Sequence, residues 1–241
     1  MHLRNTCLLV SATFASHASA SFTGFLITLQ HVVASGPGTA GQQLLVYSVF
    51  ARFNSPTDTL LSCTDFRAIT GEGALTGFWH KDNSSYNSGI LTREFGTWNP
   101  SQTGSSIANR PYDSYLTVGG LASGTNTTQA NAGWLSGGNA DSRGWNRPDL
   151  PNNGSLGWFN SNPLNLQGQV GQPGNSPTDV RIGQFVLSPG HSERVFACSI
   201  TYNGGTPGSA TQTGTDTFAF FPAPGAIALL GLGGLAHFRR R

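Results

Sequence analysis

The sequence predicts an all-β protein: a single β-sandwich with long Gly/Asn/Ser-rich loops, a jelly-roll-like winding being one arrangement that would satisfy it. Three observations point there. Several short apolar runs alternate with a period of two and stop at Gly, Asn or Pro. No stretch between the two ends sustains a helical period. Charged residues are only 10% of the 241, and Gly alone supplies 32, a composition that disfavours a helical cytosolic enzyme and favours loops built from Gly, Asn, Ser and Thr.

Taken in chain order, Met1–Ala20 reads as a signal peptide. Arg4 precedes an apolar stretch from Cys7 to Ala15, and Ala18-Ser19-Ala20 supplies small residues at the positions a signal peptidase reads. The expected first strand is Phe22–Val33. Leu45, Tyr47, Val49, Ala51 and Phe53 then alternate without a break, giving one face of a second. Thr59–Phe66, Ile90–Phe95, Ser114–Val118, Val180–Leu187 and Asp216–Phe221 are further strands. Phe196, Cys198, Ile200 and Tyr202 form one strand face with Val195, Ala197, Ser199 and Thr201 opposite, and Asn203-Gly204-Gly205 follows as a turn. Residues 96–178 read as long loops, with Gly-Trp pairs at Gly133-Trp134, Gly144-Trp145 and Gly157-Trp158 whose flanks do not repeat. One body, residues 21–221, is expected, with no second domain.

The last 20 residues read differently. Pro222-Ala223-Pro224 is followed by a short Gly- and Leu-rich apolar helix and then by Arg239, Arg240 and Arg241. The apolar run is shorter than the roughly 20 residues an unassisted span needs, and the Arg cluster would hold its end on the cytoplasmic side. Motif, span and cluster in that order resemble the PEP-CTERM sorting signal, in a planctomycete-like form with Ala223 where Glu is commoner. The resemblance implies processing by an exosortase-type enzyme near Pro222–Pro224, a transient membrane anchor through residues 222–241, and delivery to the cell surface or extracellular matrix. More faintly, Tyr47–Cys63, Tyr112–Gly119 and Val180–Gly190 resemble exported proteins carrying the same tail, which implies a secreted β fold and nothing catalytic.

Charge excludes one class of function. Of the 13 basic residues, Arg4 and the three terminal arginines lie in the flanking segments. Nine remain against 11 acidic residues, so the body carries about −2 with no basic run. Nucleic-acid binding needs a clustered basic footprint, and none is present.

Catalytic and metal motifs fail at named residues. His31, His80 and His191 are the body's histidines, and none sits at ligand spacing from another His or a Cys. Gly190-His191-Ser192-Glu193-Arg194 begins like a nucleophile elbow, but Arg194 stands where the second Gly belongs. Asn139–Gly144 opens like a calcium loop, yet Arg143 and Leu150 replace oxygen ligands. A looser calcium site would draw on Asp58, Asp65, Asp113 and Asp141. A polysaccharide hydrolase would need two carboxylates facing across a cleft, and Glu72, Glu94 and Glu193 are scattered. Three Asn-x-Ser/Thr triplets, at Asn83, Asn126 and Asn153, are expected by chance in so Asn- and Thr-rich a chain.

Two cysteines remain after the signal segment, Cys63 and Cys198, each in a predicted strand and available for a disulfide in an oxidising compartment. The tryptophans, Trp79, Trp98, Trp134, Trp145 and Trp158, stand among polar and Gly-rich residues. Exposed, they would stack on sugar faces of an extracellular polysaccharide; buried, they would pin loops to the sandwich. The expectation is a surface or matrix protein without enzymatic activity, metal or cofactor, with a carbohydrate-binding module as the alternative and a polysaccharide hydrolase third.

Overall fold

The computed structural model describes residues 21–33, 41–70, 77–81, 91–92, 98–100, 112–121, 125–131, 150, 156–205 and 209–221. Within them the chain forms two antiparallel sheets packed face to face, the predicted β-sandwich. The predicted signal helix and the apolar C-terminal helix lie outside the described residues.

β1 (Phe22–Val33) and β2 (Gln43–Phe53) pair over nearly their full length. β2 also pairs with β9 (Asp179–Leu187), and β9 with the two-residue β6 (Tyr115–Leu116), which completes the first sheet in the order β1-β2-β9-β6. The second sheet runs β11 (Gln212–Phe220), β10 (Arg194–Asn203), β3 (Thr59–Ala68), β8 (Leu156–Asn160) and β7 (Thr128–Ala130). β2 continues into β3 across the sheets, and β9 continues into β10. Because β2 pairs β9 and β3 pairs β10, this antiparallel ribbon folds over the core and ties residues more than a hundred positions apart. β4 (His80–Lys81) and β5 (Leu91–Thr92) form a separate small hairpin.

The alternation read from sequence sets the core. Leu45, Tyr47, Val49, Ala51 and Phe53 all point inward, as do Phe196, Cys198, Ile200 and Tyr202 from β10. They meet a dense aromatic interior in which Phe66 stacks on Phe196 at 5.4 Å and touches Phe185, Phe218 and Trp158. Each such side chain, fully withdrawn from water, contributes on the order of 1.5–3 kcal/mol. β2 is also covered on its other face, where Leu44 and Val46 pack under Trp79 with Val186.

β3 carries an irregularity that the period-two reading does not contain. Cys63 and Phe66 are three apart, so a regular strand would send them to opposite faces, yet both are fully buried. The register explains it: Cys63 opposes Trp158 and Phe66 opposes Leu156, with the extra residue absorbed in a bulge where Asp65 takes a left-handed φ of 50°.

Two strands fall where loops are expected. β7 and β8 lie inside residues 96–178, and β8 is an interior strand of the second sheet. Leu156 and Trp158 point inward, and Gly157 lets the backbone lie close to β3, since a Cβ there would stand 2.8 Å from the Cys63 carbonyl oxygen.

Candidate functional site

One end of the sandwich carries an uncharged hollow of about 370 Å³, lined among others by Leu121, Thr125, Asn126, Asn165, Gln167 and Pro173. Its floor is built by the turn after β6 and by the segment following a 3-10 turn at Pro163–Asn165. Gln167 is the hub. Its Nε2 donates to the Val118 carbonyl at 2.8 Å, to Asn126 Oδ1 at 3.0 Å and to Thr128 Oγ1 at 3.2 Å. Its Oε1 accepts from the Thr127 backbone N–H at 3.0 Å. Asn126 Nδ2 donates to Thr117 Oγ1 at 2.8 Å and to the Leu121 carbonyl, and its Oδ1 accepts from the Thr128 N–H. Asn165 Nδ2 donates to Thr127 Oγ1, and its Oδ1 accepts from Asn160. Asn175 Nδ2 reaches the carbonyls of both Gln167 and Gln169.

This is what the Asn-, Gln- and Thr-rich composition does. The described loop segments around β6, β7, β8 and β9 have backbone groups outside the ladders, and side-chain amides, each carrying donors and an acceptor, satisfy several of them. The amides of Asn126 and Gln167 are engaged with the protein itself, so the hollow is walled by a structural network whose chemistry is neutral. Leu121, Leu164 and Leu166 are exposed around it.

A second constellation marks the end of the body. The Tyr47 hydroxyl donates to the Phe221 carbonyl at 2.6 Å and lies 2.8 Å from His191 Nε2, while the Tyr47 ring stacks on Phe220 at 4.5 Å. Burial pushes the Tyr47 hydroxyl up to about 12, with the Arg194 charge acting in the opposite direction. Burial also lowers the His191 imidazole, opposed by its hydrogen bond to the Ser192 carbonyl and aided by Arg194.

Of the two arrangements open to the tryptophans, the described ones take the buried one. Trp79, Trp98 and Trp158 are 6%, 0% and 1% exposed, so none offers a free ring face. Trp79 Nε1 donates to Ser188 Oγ at 3.0 Å and pins its segment over β2 and β9. Trp98 packs on His80 at 4.3 Å, Phe78 at 5.1 Å and Phe185 at 5.8 Å. Trp158 donates to the Thr117 carbonyl at 2.8 Å from within β8. Their polar neighbours in sequence do not decide the matter, because burial here is set by rings brought in from β9 and β3. Trp134 and Trp145 lie outside the described residues.

The structure does not bring the predicted carboxylates together where it describes them. Asp58 lies in the turn before β3 and accepts from the Ser55 N–H, Asp65 sits exposed on the β3 bulge, and Asp113 precedes β6. Among the described residues no three His, Cys, Asp or Glu side chains gather closely enough to hold a metal ion. Glu193 is exposed; Glu72, Glu94 and Asp141 fall outside the described residues. Cys63 and Cys198, in contrast, are brought together on neighbouring strands, both unbridged and fully buried. Sequence reasoning missed the Gln167 network, for which the run Asn126-Thr127-Thr128 and the Asn/Gln density of 160–175 were the available signal.

Ala18 and Ala20, and Pro222, Ala223, Pro224 and Arg239–Arg241, also lie outside the described residues. No protein-family model, curated protein or solved structure matches the chain.

Proposed function

We propose that this chain is exported, sorted through its Pro222–Arg241 segment by an exosortase-type enzyme, and retained at the cell surface or in the extracellular matrix as a non-catalytic structural module. The observation that carries this reading is the coincidence between the outer limits of the described strands and the two processing points read from the sequence. β1 begins at Phe22, just past Ala20, and β11 ends at Phe220, just short of Pro222. Removing both flanks therefore leaves every described strand intact.

The ends of that body are also fastened. The Ser21 N–H donates to Asn54 Oδ1 at 3.0 Å and the Ser21 carbonyl accepts from the Asn54 N–H at 3.2 Å. At the other end the Phe221 carbonyl accepts from Tyr47. A module held at both trimmed termini, with its loop end cross-bonded by amides, is suited to persist outside the cell without chaperones. The carbohydrate-binding alternative loses Trp79, Trp98 and Trp158 as stacking surfaces.

The test is to express the full chain in a host with an exosortase-type system and read both termini of the delivered protein by mass spectrometry. The expected product starts at Ser21 and ends near Pro222–Pro224. Replacing Arg239, Arg240 and Arg241 by Ala should leave the tail attached, because the cytoplasmic anchor is lost. Retention of an intact Met1 in the cytoplasm, or normal tail removal in the triple variant, would overturn the reading.

A further inference from the structure

The two body cysteines are 135 residues apart in sequence, and the fold makes them neighbours. Cys63 lies on β3 directly opposite Ile200 of β10, and Cys198 is two residues along β10 from Ile200, on the same inward face. The β3 bulge falls at this point: Ser199 opposes Thr64 and Ala197 opposes Arg67, so Cys198 faces the displaced backbone around Asp65. The Cys198 thiol contacts the Thr64 carbonyl at 3.8 Å, next door to Cys63, and the Ser199 carbonyl at 3.5 Å. Both are 0% exposed.

We propose that Cys63 and Cys198 form an intrachain disulfide before the sandwich closes, and that folding then seals the bond in the core. The order of events follows from burial. An oxidant has no route to either sulfur once β3 and β10 are paired, and burial, with Cys198 alongside, keeps the Cys63 thiol protonated, so the attacking thiolate is missing. The oxidant is of the disulfide class. In the open chain one cysteine thiolate attacks the oxidant's disulfide, forming a mixed disulfide and releasing one oxidant thiolate. The second cysteine thiolate then attacks the sulfur of the first, closing the Cys63–Cys198 bond and releasing the second oxidant thiolate. The two cysteine protons end on the two oxidant thiols, and the pair of electrons leaves with them. Closure needs the sulfurs to approach to about 2.05 Å, and the pairing of β3 with β10 already sets both side chains on one inward face, two positions apart in register. A bridge spanning this many residues constrains the unfolded chain strongly.

The sequence supplies a direct readout. Cleavage after arginine leaves Cys7 in Asn5–Arg52, Cys63 in Phe53–Arg67 and Cys198 in Val195–Arg239, three separate peptides. The full chain is denatured, reduced and refolded in oxidised and reduced glutathione, then digested without reduction. Phe53–Arg67 should appear joined to Val195–Arg239, and the oxidised protein should melt about 10–20 °C above the same protein reduced. The reduced protein, folded first and then given the same buffer, should remain unlinked until denaturant is added. Recovery of the two peptides separately after oxidative refolding, or linkage of either mainly to the Cys7 peptide, would overturn the proposal. So would a linked product that melts below the reduced one. Linking of the folded reduced protein as fast as the denatured one would overturn the order of events.

Discussion

Replacing Gln167 by Leu tests whether the amide network is what holds the loop end of the sandwich. The substitution keeps approximate volume and removes five polar contacts at once: donation to the Val118 carbonyl, to Asn126 and to Thr128, and acceptance from the Thr127 N–H and, at 3.5 Å, from the Thr127 hydroxyl. Asn126 and Thr128 retain other partners, so the loss falls mainly on the Val118 carbonyl and the Thr127 N–H. Each buried group left unsatisfied costs about 1–3 kcal/mol. Gln167 itself is only partly buried, so water recovers a share, and a loss of about 2–3 kcal/mol is expected. Gln172 is the internal control, because its amide makes a single 3.3 Å bond to Gln169, and Gln172→Leu should cost about 1 kcal/mol or less. Urea unfolding followed by tryptophan fluorescence reads both, as a lowered midpoint at unchanged slope. Equal losses in the two variants, or a neutral Gln167→Leu, would refute the hub role.

Three further outcomes follow from single residues. Burial pushes the His80 imidazole down to about 4, against the pull of the Ser114 carbonyl, so the unfolded chain takes up a proton between about pH 6.5 and 4 that the folded one refuses. Stability from this group is therefore complete above pH 6.5 and falls by about 3 kcal/mol as pH drops to 4; in His80→Phe that part of the pH dependence should vanish from denaturation midpoints. Tyr47→Phe keeps the stack on Phe220 but deletes the bond to Phe221, and should cost about 1–2 kcal/mol with faster hydrogen exchange in β11; unchanged exchange there would show that the hydroxyl does not fasten the end. Gly119→Ala should lose at least about 2 kcal/mol in the same urea assay, since φ is 69° and the new Cβ would run into the Gln167 carbonyl, whereas a neutral result would mean that the turn can relax.

What was legible in the sequence was the part governed by local repetition. β1 was read at its full extent, and the inward faces of β2 and β10 follow from alternation alone. β11 starts at Gln212, four residues before the predicted Asp216, because its first half is polar and largely exposed and leaves no apolar trace. β8 is only five residues long, and its inward pair Leu156 and Trp158 is too short a run to register as a period. The burial of Trp98, flanked by Thr97 and Asn99, depends on Phe185 some ninety positions away, and no local window contains that information.

The low charge of the chain and its amide network are two aspects of one physical choice. A loop-rich sandwich has to satisfy backbone groups that lie outside its ladders, and charged side chains do this at the expense of desolvation and of sensitivity to salt. Among the described residues the ion pair is Arg52–Asp179, at 2.8 Å, on the first sheet; burial raises the Asp179 carboxyl, but hydrogen bonds from Arg52, Ser176 and Thr178 outweigh that and hold it low. At the loop end the same task falls to Asn126, Asn160, Asn165, Gln167 and Asn175, which keep their hydrogen bonds whatever the ionic strength. Amides have no charge to screen and no proton to lose near neutrality, so the geometry they fix is insensitive to ionic strength and to pH in that range. That property gives a composition of Gly, Asn, Thr and Gln a structural use, and it would suit the surface location proposed for this chain.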